Sequence, residues 1–390
     1  MKAGKLVILG VTQEQHPERC RLFAQWQQFD WPILHDPINV LESSAVPIVV
    51  AIDEFGIVRD TRPQPATFAE MFLEQAFADD AGGDAPARIG PQQPIDARKL
   101  ERTAKDKNTS TAWREYGDAL ALWGGETQVS AAIDAYGEAI ELDAKDARSY
   151  FRRGVCARRR YETAERRDGD FQRAIDDWGA ALALEPNQYI WRRRIEQYGP
   201  RLDKPYPFYD WVGEAEAAIR KRGETPIELP VRPGGAEIAH PSREFAAEKA
   251  AAENPDAEGK IARDAAGMIR AEVTVVPQRV KPGESARVHV VLRPNAKSAA
   301  HWNNEAEQLR LWIDPPEGTA VSARLVEAGE PPPMAASQEE RTLDFEVKIP
   351  GDAREDVRVR TYALYHVCDD VGGQCQFLRL DIAVAVPVAK

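Results

Sequence analysis

Two copies of one pattern decide the fold: Trp113-x-x-Tyr116-Gly117-x-x-Leu120 followed by Ala132-x-x-x-Tyr136-x-x-Ala139-x-Glu141-Leu142, and Tyr150-x-x-x-Gly154-x-x-Ala157 followed by Ala174-x-x-x-Trp178-x-x-Ala181-x-Ala183-Leu184-x-Pro186. Alanines at the same offset in both copies let two antiparallel helices approach closely. One aromatic residue per copy then fills the groove between neighbouring pairs. The stretch from Thr111 to Gly223 therefore predicts stacked pairs of α-helices.

The spacing of the copies resembles a tetratricopeptide repeat (TPR) array, whose unit is about 34 residues. The two copies are offset by 37 residues at Gly117 and by 42 residues at Ala132. Two units leave hydrophobic faces uncovered, so we expect a third helical pair at Asn187–Tyr198 and Phe208–Arg222, joined by a rigid proline-rich corner at 200–207. The resemblance implies a scaffold that binds a protein partner.

The helical middle is rich in arginine. From Arg148 to Arg173 there are nine arginines, no lysine and four acidic residues. Guanidinium groups pair well with carboxylates, so one interpretation is a surface for anions or acidic peptides. The other is a solvated helix face that acidic residues balance elsewhere in the fold. A net charge of −12 argues against a nucleic-acid partner.

Length and composition limit the class of protein. A chain of 390 residues with 43% hydrophobic content predicts two or three domains with their own cores. No run of eighteen apolar residues is present, so we expect no membrane span. The first ten residues carry a short apolar run without a cleavage site and are interpreted as a β-strand, not as a signal peptide.

The N-terminal 78 residues alternate between apolar runs and one helical pattern. The predicted elements are a buried parallel strand at Leu6–Val11, a helix from Pro17 to Phe29, an extended stretch at Trp31–Asp36, a second buried strand at Val46–Asp53, a glycine turn at Asp53–Gly56 and a closing helix from Pro65 to Ala78. This order predicts a small α/β module.

The same order resembles the TlpA-type and peroxiredoxin-like (redoxin) branch of the thioredoxin superfamily, over Lys5 to Leu73. The resemblance implies that Pro47 is the cis-proline of a substrate groove. The family's Cys-x-x-Cys precedes the strand with which this chain begins, and the chain has no Cys-x-x-Cys. Two explanations stay open, namely a preceding strand–helix unit outside this sequence, or a degenerate binding domain.

Cys20 lies near the start of the predicted helix. The helix dipole and Arg19 would lower the pKa of its thiol and favour a redox-active thiolate. The alternative is a half-buried cysteine that behaves as a small apolar residue.

The C-terminal third has the two-residue period of β-strands. Seven strands are predicted, at 271–276, 283–292, 309–313, 320–325, 341–349, 357–366 and 376–386. Turn residues separate them, which is typical of an immunoglobulin-like β-sandwich.

The last two strands carry a cysteine each, in Tyr365-His-Val-Cys368-Asp-Asp-Val-Gly-Gly-Gln-Cys375. A hairpin would bring the two close enough to bond. The pattern resembles the periplasmic N-terminal (alpha) domain of DsbD-type disulfide reductases, over about 271–388. The resemblance implies that Cys368 and Cys375 are the exchanging pair, with Tyr365 and His366 tuning access to the thiols. Four interpretations remain: a structural disulfide, an exchange-competent disulfide, metal ligation that includes His366, or two reduced, inert thiols.

We therefore predict a multidomain α+β protein. Its parts are a partial thioredoxin-like domain (1–78), a linker (79–108), a TPR-like helical domain (109–223), a second linker (224–268) and a DsbD-alpha-like sandwich (269–390). The functional hypothesis is thiol–disulfide exchange in an extracytoplasmic, periplasmic pathway, without cofactor or metal. Its partner would be a thioredoxin-like protein or a disulfide reductase component. The alternatives are a non-enzymatic scaffold with a structural disulfide, and a peroxidase that acts through Cys20.

Overall fold

The computed structural model describes residues 6–78, 95–200, 211–229, 252–369 and 373–389. Helices dominate the N-terminal half of the chain and strands the C-terminal half. The chain divides into two compact units: Met1–Thr163 with Ala180–Arg193 and Trp211–Val231, and Ala164–Gly179 with Arg194–Asp210 and Arg232–Lys390. Within the described residues, no helix is both long and apolar enough to cross a membrane.

Eight α-helices occur in the described residues. They are α1 (Pro17–Gln27), α2 (Ala97–Lys107), α3 (Ser110–Trp123), α4 (Val129–Leu142), α5 (Ala147–Tyr161), α6 (Asp170–Leu184), α7 (Tyr189–Glu196) and α8 (Trp211–Lys221). Most of the predicted proline-rich corner, from 201 onwards, lies outside the described residues.

Side-chain caps explain where several helices begin. The carboxylate of Asp96 accepts a hydrogen bond from Lys99 N at the start of α2. Thr109 and Asp146 cap α3 and α5 in the same way. Each cap satisfies a backbone N–H that has no partner within its helix. Helix α2 thus forms within the segment that the sequence predicted to be a linker.

The repeated alanines and aromatics are buried between helices, as the sequence predicted. The side chains of Ala132, Tyr136 and Ala139 on α4 are 0% exposed. Gly117 on α3 is required by this packing, because a Cβ at that position would lie 2.7 Å from Cε1 of Tyr136. Helices α2 to α5 pack consecutively against one another.

The N-terminal strands are shorter and more exposed than predicted. They are β1 (Gly10–Thr12), β2 (Ile33–His35), β3 (Ala51–Ile52) and β4 (Val58–Asp60). Strand β1 pairs in parallel with β2, and β3 pairs antiparallel with β4.

The prediction of two buried strands was wrong, because Val7 and Val49 are 76% and 60% exposed. Each of these four strands pairs with one other strand, and the apolar side chains of the two predicted buried strands remain largely exposed. The glycine turn was right, with Gly56 at φ +84°. The predicted closing helix is reduced to one π-helical turn at Ala69–Leu73.

The C-terminal strands form two antiparallel sheets. They are β5 (Ile269–Val276), β6 (Ser285–Pro294), β7 (Ala300–Asn303), β8 (Arg310–Asp314), β9 (Ala320–Val321), β10 (Leu325–Glu327), β11 (Ala336–Ser337), β12 (Arg341–Lys348), β13 (Val357–Asp369) and β14 (Cys375–Val386). One sheet has the order β5-β6-β12-β9 and the other β10-β8-β13-β7-β11, with β14 on β13. Residues of both sheets share one apolar core, centred on Trp302, Phe345 and Tyr365.

The second unit also contains helical residues that bind to the four-stranded sheet. The side chain of Gln172 accepts a hydrogen bond from Val275 N at 2.9 Å. The two ring nitrogens of His289 lie 2.8 Å from Tyr198 O and 2.9 Å from Asp344 Oδ1. Since a carbonyl and a carboxylate are both acceptors, His289 ties strand β6 to the chain that follows α7.

Part of the second predicted linker is ordered against the six-stranded sheet. The carboxylate of Asp256 accepts from Arg379 at 2.8 Å, and Tyr362 accepts a hydrogen bond from Asp256 N. The composition of Glu244–Ala265, which is rich in alanine, glutamate and lysine, favours a helix. Its residues 244–251 lie outside the described residues, and 252–265 contain turns instead. The side chain of Asp256 binds Ile261 N, which favours a turn over a helix.

Candidate functional site

Strands β13 and β14 place the two C-terminal cysteines directly opposite each other. The ladder pairs Cys368 with Cys375, and their Cα atoms are 4.0 Å apart. Asp369 N donates to Gln374 O in the adjacent pair, at 3.2 Å. The two sulfurs are joined in a disulfide. The turn residues 370–372 lie outside the described part of the chain.

The two halves of the disulfide differ in exposure. Cys368 is 5% exposed, whereas Cys375 is an exposed residue. Cys368 is enclosed because β13 has β14 on one side and β7 on the other, whereas β14 pairs only with β13 among the described strands. Of the two residues of the disulfide, Cys375 is therefore the one that is exposed to solvent.

An imidazole and a phenyl ring occupy the next positions on the same face of the sheet. His366 lies opposite Phe377, and the two rings stack with centroids 4.6 Å apart. Burial lowers the pKa of His366, so its ring is neutral at pH 7. The register therefore places His366 two residues from Cys368 on the same face of strand β13.

A second histidine lies on the other side of Cys368. Strand β7 pairs with β13 so that His301 is opposite Cys368. Cys375, Cys368 and His301 thus form one row across three strands. The sequence alone could not place His301, because β7 is only four residues long and its neighbour β13 begins more than fifty residues later in the chain. The signal present was alternation, with Trp302 buried between two polar residues.

Tyr365 does not lie beside the disulfide, which corrects the expectation that it tunes access to the thiols. Alternate residues of a strand point to opposite faces, so Tyr365 faces the core while Cys368 does not. The hydroxyl of Tyr365 donates to Asp264 Oδ2 at 2.8 Å, and the ring packs edge-on against Trp302. Burial raises the pKa of this tyrosine.

The alternative of metal ligation by His366, Cys368 and Cys375 needs the reduced protein, because both sulfurs are bonded to each other. Among the residues that the structure describes, no group of three or more histidine, cysteine or acidic side chains is arranged to hold a metal ion.

The two N-terminal candidates belong to the first unit. Cys20 is half-buried on α1, and burial raises the pKa of its thiol, contrary to the expected lowering. Arg19 is buried and pairs with Glu14 at 3.6 Å. The expected cis peptide is present at Val46–Pro47, and its neighbours Val46 and Ile48 are 52% and 56% exposed.

The arginine-rich stretch is exposed in part, at residues such as Arg167 and Arg173, and buried in part. Arg152, Arg158 and Arg160 are at most 5% exposed. Arg152 donates to Asp118 Oδ2 at 2.7 Å and to Ile38 O at 3.3 Å. Arg152 therefore connects segments of the first unit that are distant in sequence, and its acidic partner lies elsewhere in the fold, as the second interpretation expected, although Arg152 itself is not on a solvated face.

Comparison with known proteins assigns no family. No family model matches the chain, and no curated protein matches it. Among solved structures, the chain is similar to the major pilin subunit BcpA of Bacillus cereus, with 9% identity over 31% of this chain and 40% of the pilin, at a TM-score of 0.18. It is also similar to the sporulation control protein Spo0M of Bacillus subtilis, with 12% identity over 32% of this chain and 50% of that one, at 0.17.

A third similar structure is the neutral ceramidase of Pseudomonas aeruginosa, with 10% identity over 64% of this chain and 37% of the ceramidase, at a TM-score of 0.16. The chain thus spans half or less of the length of each of these three proteins. At such TM-scores the likenesses support no conclusion about fold or function.

Proposed function

We propose that the protein takes part in thiol–disulfide exchange through Cys368 and Cys375, with a protein dithiol as its partner. The observation that supports this most is the unequal exposure of the two cysteines in a cross-strand disulfide, with Cys368 enclosed and Cys375 exposed. A structural disulfide has no need of an accessible sulfur, whereas exchange requires one.

The exchange proceeds in two displacements. A partner thiolate attacks the sulfur of Cys375, which forms a mixed disulfide and releases Cys368 as the thiolate. The partner's second thiolate then attacks the partner's sulfur atom in that mixed disulfide, and Cys375 leaves as a thiolate. The partner ends as a disulfide, two electrons have passed to this protein, and two protons from solvent complete its thiols.

The remaining segments fit a carrier that binds its partner. The packed helices at 109–223 resemble TPR units and would act as the scaffold, and the N-terminal redoxin-like segment would contribute binding surface around Pro47. The DsbD-like hairpin favours a periplasmic or other extracytoplasmic pathway, in which disulfides persist.

The test is the reactivity of each thiol in the absence of the other. We expect the thiol of Cys375 in a Cys368→Ser variant to react with an aromatic disulfide reagent at least about tenfold faster than the thiol of Cys368 in the matched Cys375→Ser variant, because exposure limits attack. Cys156 is buried in both and serves as the internal reference, since burial raises its pKa to about 12. Equal rates for the two variants would remove the basis of the proposal.

Reduction by a protein dithiol provides the second arm. Reduced thioredoxin should reduce the wild-type disulfide, and the Cys368→Ser variant should form a stable covalent complex with a thioredoxin that lacks its second cysteine and whose remaining thiol is activated as an aromatic mixed disulfide. A potential below about −300 mV, with no reaction with thioredoxin, would instead support a structural disulfide. The alternative function is then the non-enzymatic scaffold, which the absence of Cys-x-x-Cys from the chain favours.

A further inference from the structure

The first unit contains a cavity of about 110 Å³ between the chain at Ile38–Glu42 and helices α5 and α7. Phe151 and Trp191 form one wall, with their rings stacked at 5.1 Å and an interplanar angle of 17°. Gln188, one turn before Trp191, lines the same cavity. A space of this size is large enough for a few water molecules or one small polar group.

Two buried polar atoms of the lining residues have no hydrogen-bond partner among the described residues. They are the indole nitrogen of Trp191, a donor, and the side-chain oxygen of Gln188, an acceptor. Trp191 is only 3% exposed. An unpaired buried polar group is costly, and native proteins rarely leave one without a ligand or an ordered water.

The other polar groups of the lining are already paired. Arg148 bonds Glu42 at 2.9 Å, and Arg152 bonds Asp118 at 2.7 Å, so each guanidinium has its own carboxylate. Both ends of the Asn39 amide bind the backbone of Ser43. The buried polar atoms of the lining that have no partner are therefore one donor and one acceptor, neither of which carries a charge.

We infer that the cavity binds a primary carboxamide group. The amide oxygen accepts from the Trp191 indole N–H, and the amide NH₂ donates to the Gln188 oxygen. A carboxylate has no proton to donate to Gln188, and an ammonium group has no lone pair for Trp191. The flat amide also fits against the Phe151–Trp191 wall. The group can come from a free small amide or from an asparagine or glutamine side chain of a peptide.

The probe is propionamide, and the readout is the indole N–H signal of Trp191 in a ¹⁵N–¹H correlation spectrum of the full chain. The protein has nine tryptophans, and the signal that disappears in a Trp191→Phe variant identifies Trp191. We expect a saturable downfield shift of that one signal, with roughly millimolar affinity for so small a ligand. Gln188→Leu should weaken binding by about tenfold or more, whereas Gln128→Leu, an exposed site outside the cavity, should not.

Propionate is the isosteric control and propylamine the control that lacks an acceptor, and each should bind at least about tenfold more weakly than propionamide. An acetylated Gly-Gln-Gly peptide compared with Gly-Leu-Gly separates the two sources, since preferential binding of the first identifies a peptide ligand. If propionamide leaves the Trp191 signal unchanged at roughly 100 mM, where even the weakest specific site for so small a ligand should fill, the cavity holds water only and the inference fails. Propionate binding as tightly as propionamide would also overturn it. Neither result bears on the disulfide.

Discussion

The disulfide should be harder to reduce in the folded protein than in the unfolded chain, by an amount that its loop length determines. Cys368 and Cys375 are separated by seven positions. A cross-link that closes so short a loop removes about 2.4 kcal/mol of conformational entropy from the unfolded state. Because folding and reduction form a thermodynamic cycle, the disulfide of the native protein is harder to reduce than that of the unfolded chain by the same free energy. For a two-electron couple, that lowers the native reduction potential by about 50 mV relative to the unfolded one.

The assay measures both potentials on the same molecule. The protein is equilibrated with dithiothreitol buffers in native conditions and in concentrated guanidinium chloride, then alkylated, and the peptide that carries both cysteines is quantified by mass spectrometry. Cys20 and Cys156 lie on other peptides and do not interfere. Equal potentials, or a native potential above that of the unfolded chain, would refute the reasoning. Either result would mean that the folded sheet disfavours the disulfide by at least as much free energy as the loop entropy contributes.

Two further predictions concern packing and charge. Replacing Asp344 by Asn should destabilise the second unit by about 3 kcal/mol, as measured by urea unfolding. Burial alone would raise the pKa of Asp344, but His289 and a buried arginine hold this pKa well below its usual range. The stabilisation is therefore complete above about pH 4 and is lost as the pH falls towards the pKa of Asp344 in the folded protein. Gly117→Ala should lower the free energy of unfolding by about 1–3 kcal/mol, because the added methyl group clashes with Tyr136. The control Gly137→Ala, at a helical position without such crowding, should raise it by about 0.5–1 kcal/mol. Equal effects of the two substitutions would contradict the packing argument.

Local patterns predicted the helices of the repeated segment well, because helix formation depends on residues three and four positions apart, but they failed for the closing helix at Pro65–Ala78. The alanine and aromatic positions of α4 and α6 are buried as expected. The burial of Arg152 was not predictable, because its partners Asp118 and Ile38 lie in segments distant in sequence.

Strand predictions failed where burial depends on neighbours that sequence alone does not reveal. An apolar run such as Val46–Asp53 is typical of an enclosed strand, yet Ile48 and Val49 are more than half exposed. At the disulfide, the pairing of Cys368 with Cys375 was predictable from hairpin spacing. The position of His301 opposite Cys368 was not predictable, because the register between strands that are distant in sequence depends on the assembled sheet. Tyr365 was misplaced because strand alternation was not applied to it.

The tie between His289 and Tyr198 O affects how the chain can be cut. A fragment that begins at residue 269 would contain every strand of both C-terminal sheets, but it would lose the carbonyl partner of His289 and the Gln172 oxygen that binds Val275 N. Phe171, whose ring lies 5.4 Å from that of His289, would be lost as well. Dissection of this protein for expression should therefore retain the chain from 164 onwards, because a cleavage at the start of the first long strand would expose buried polar groups to water.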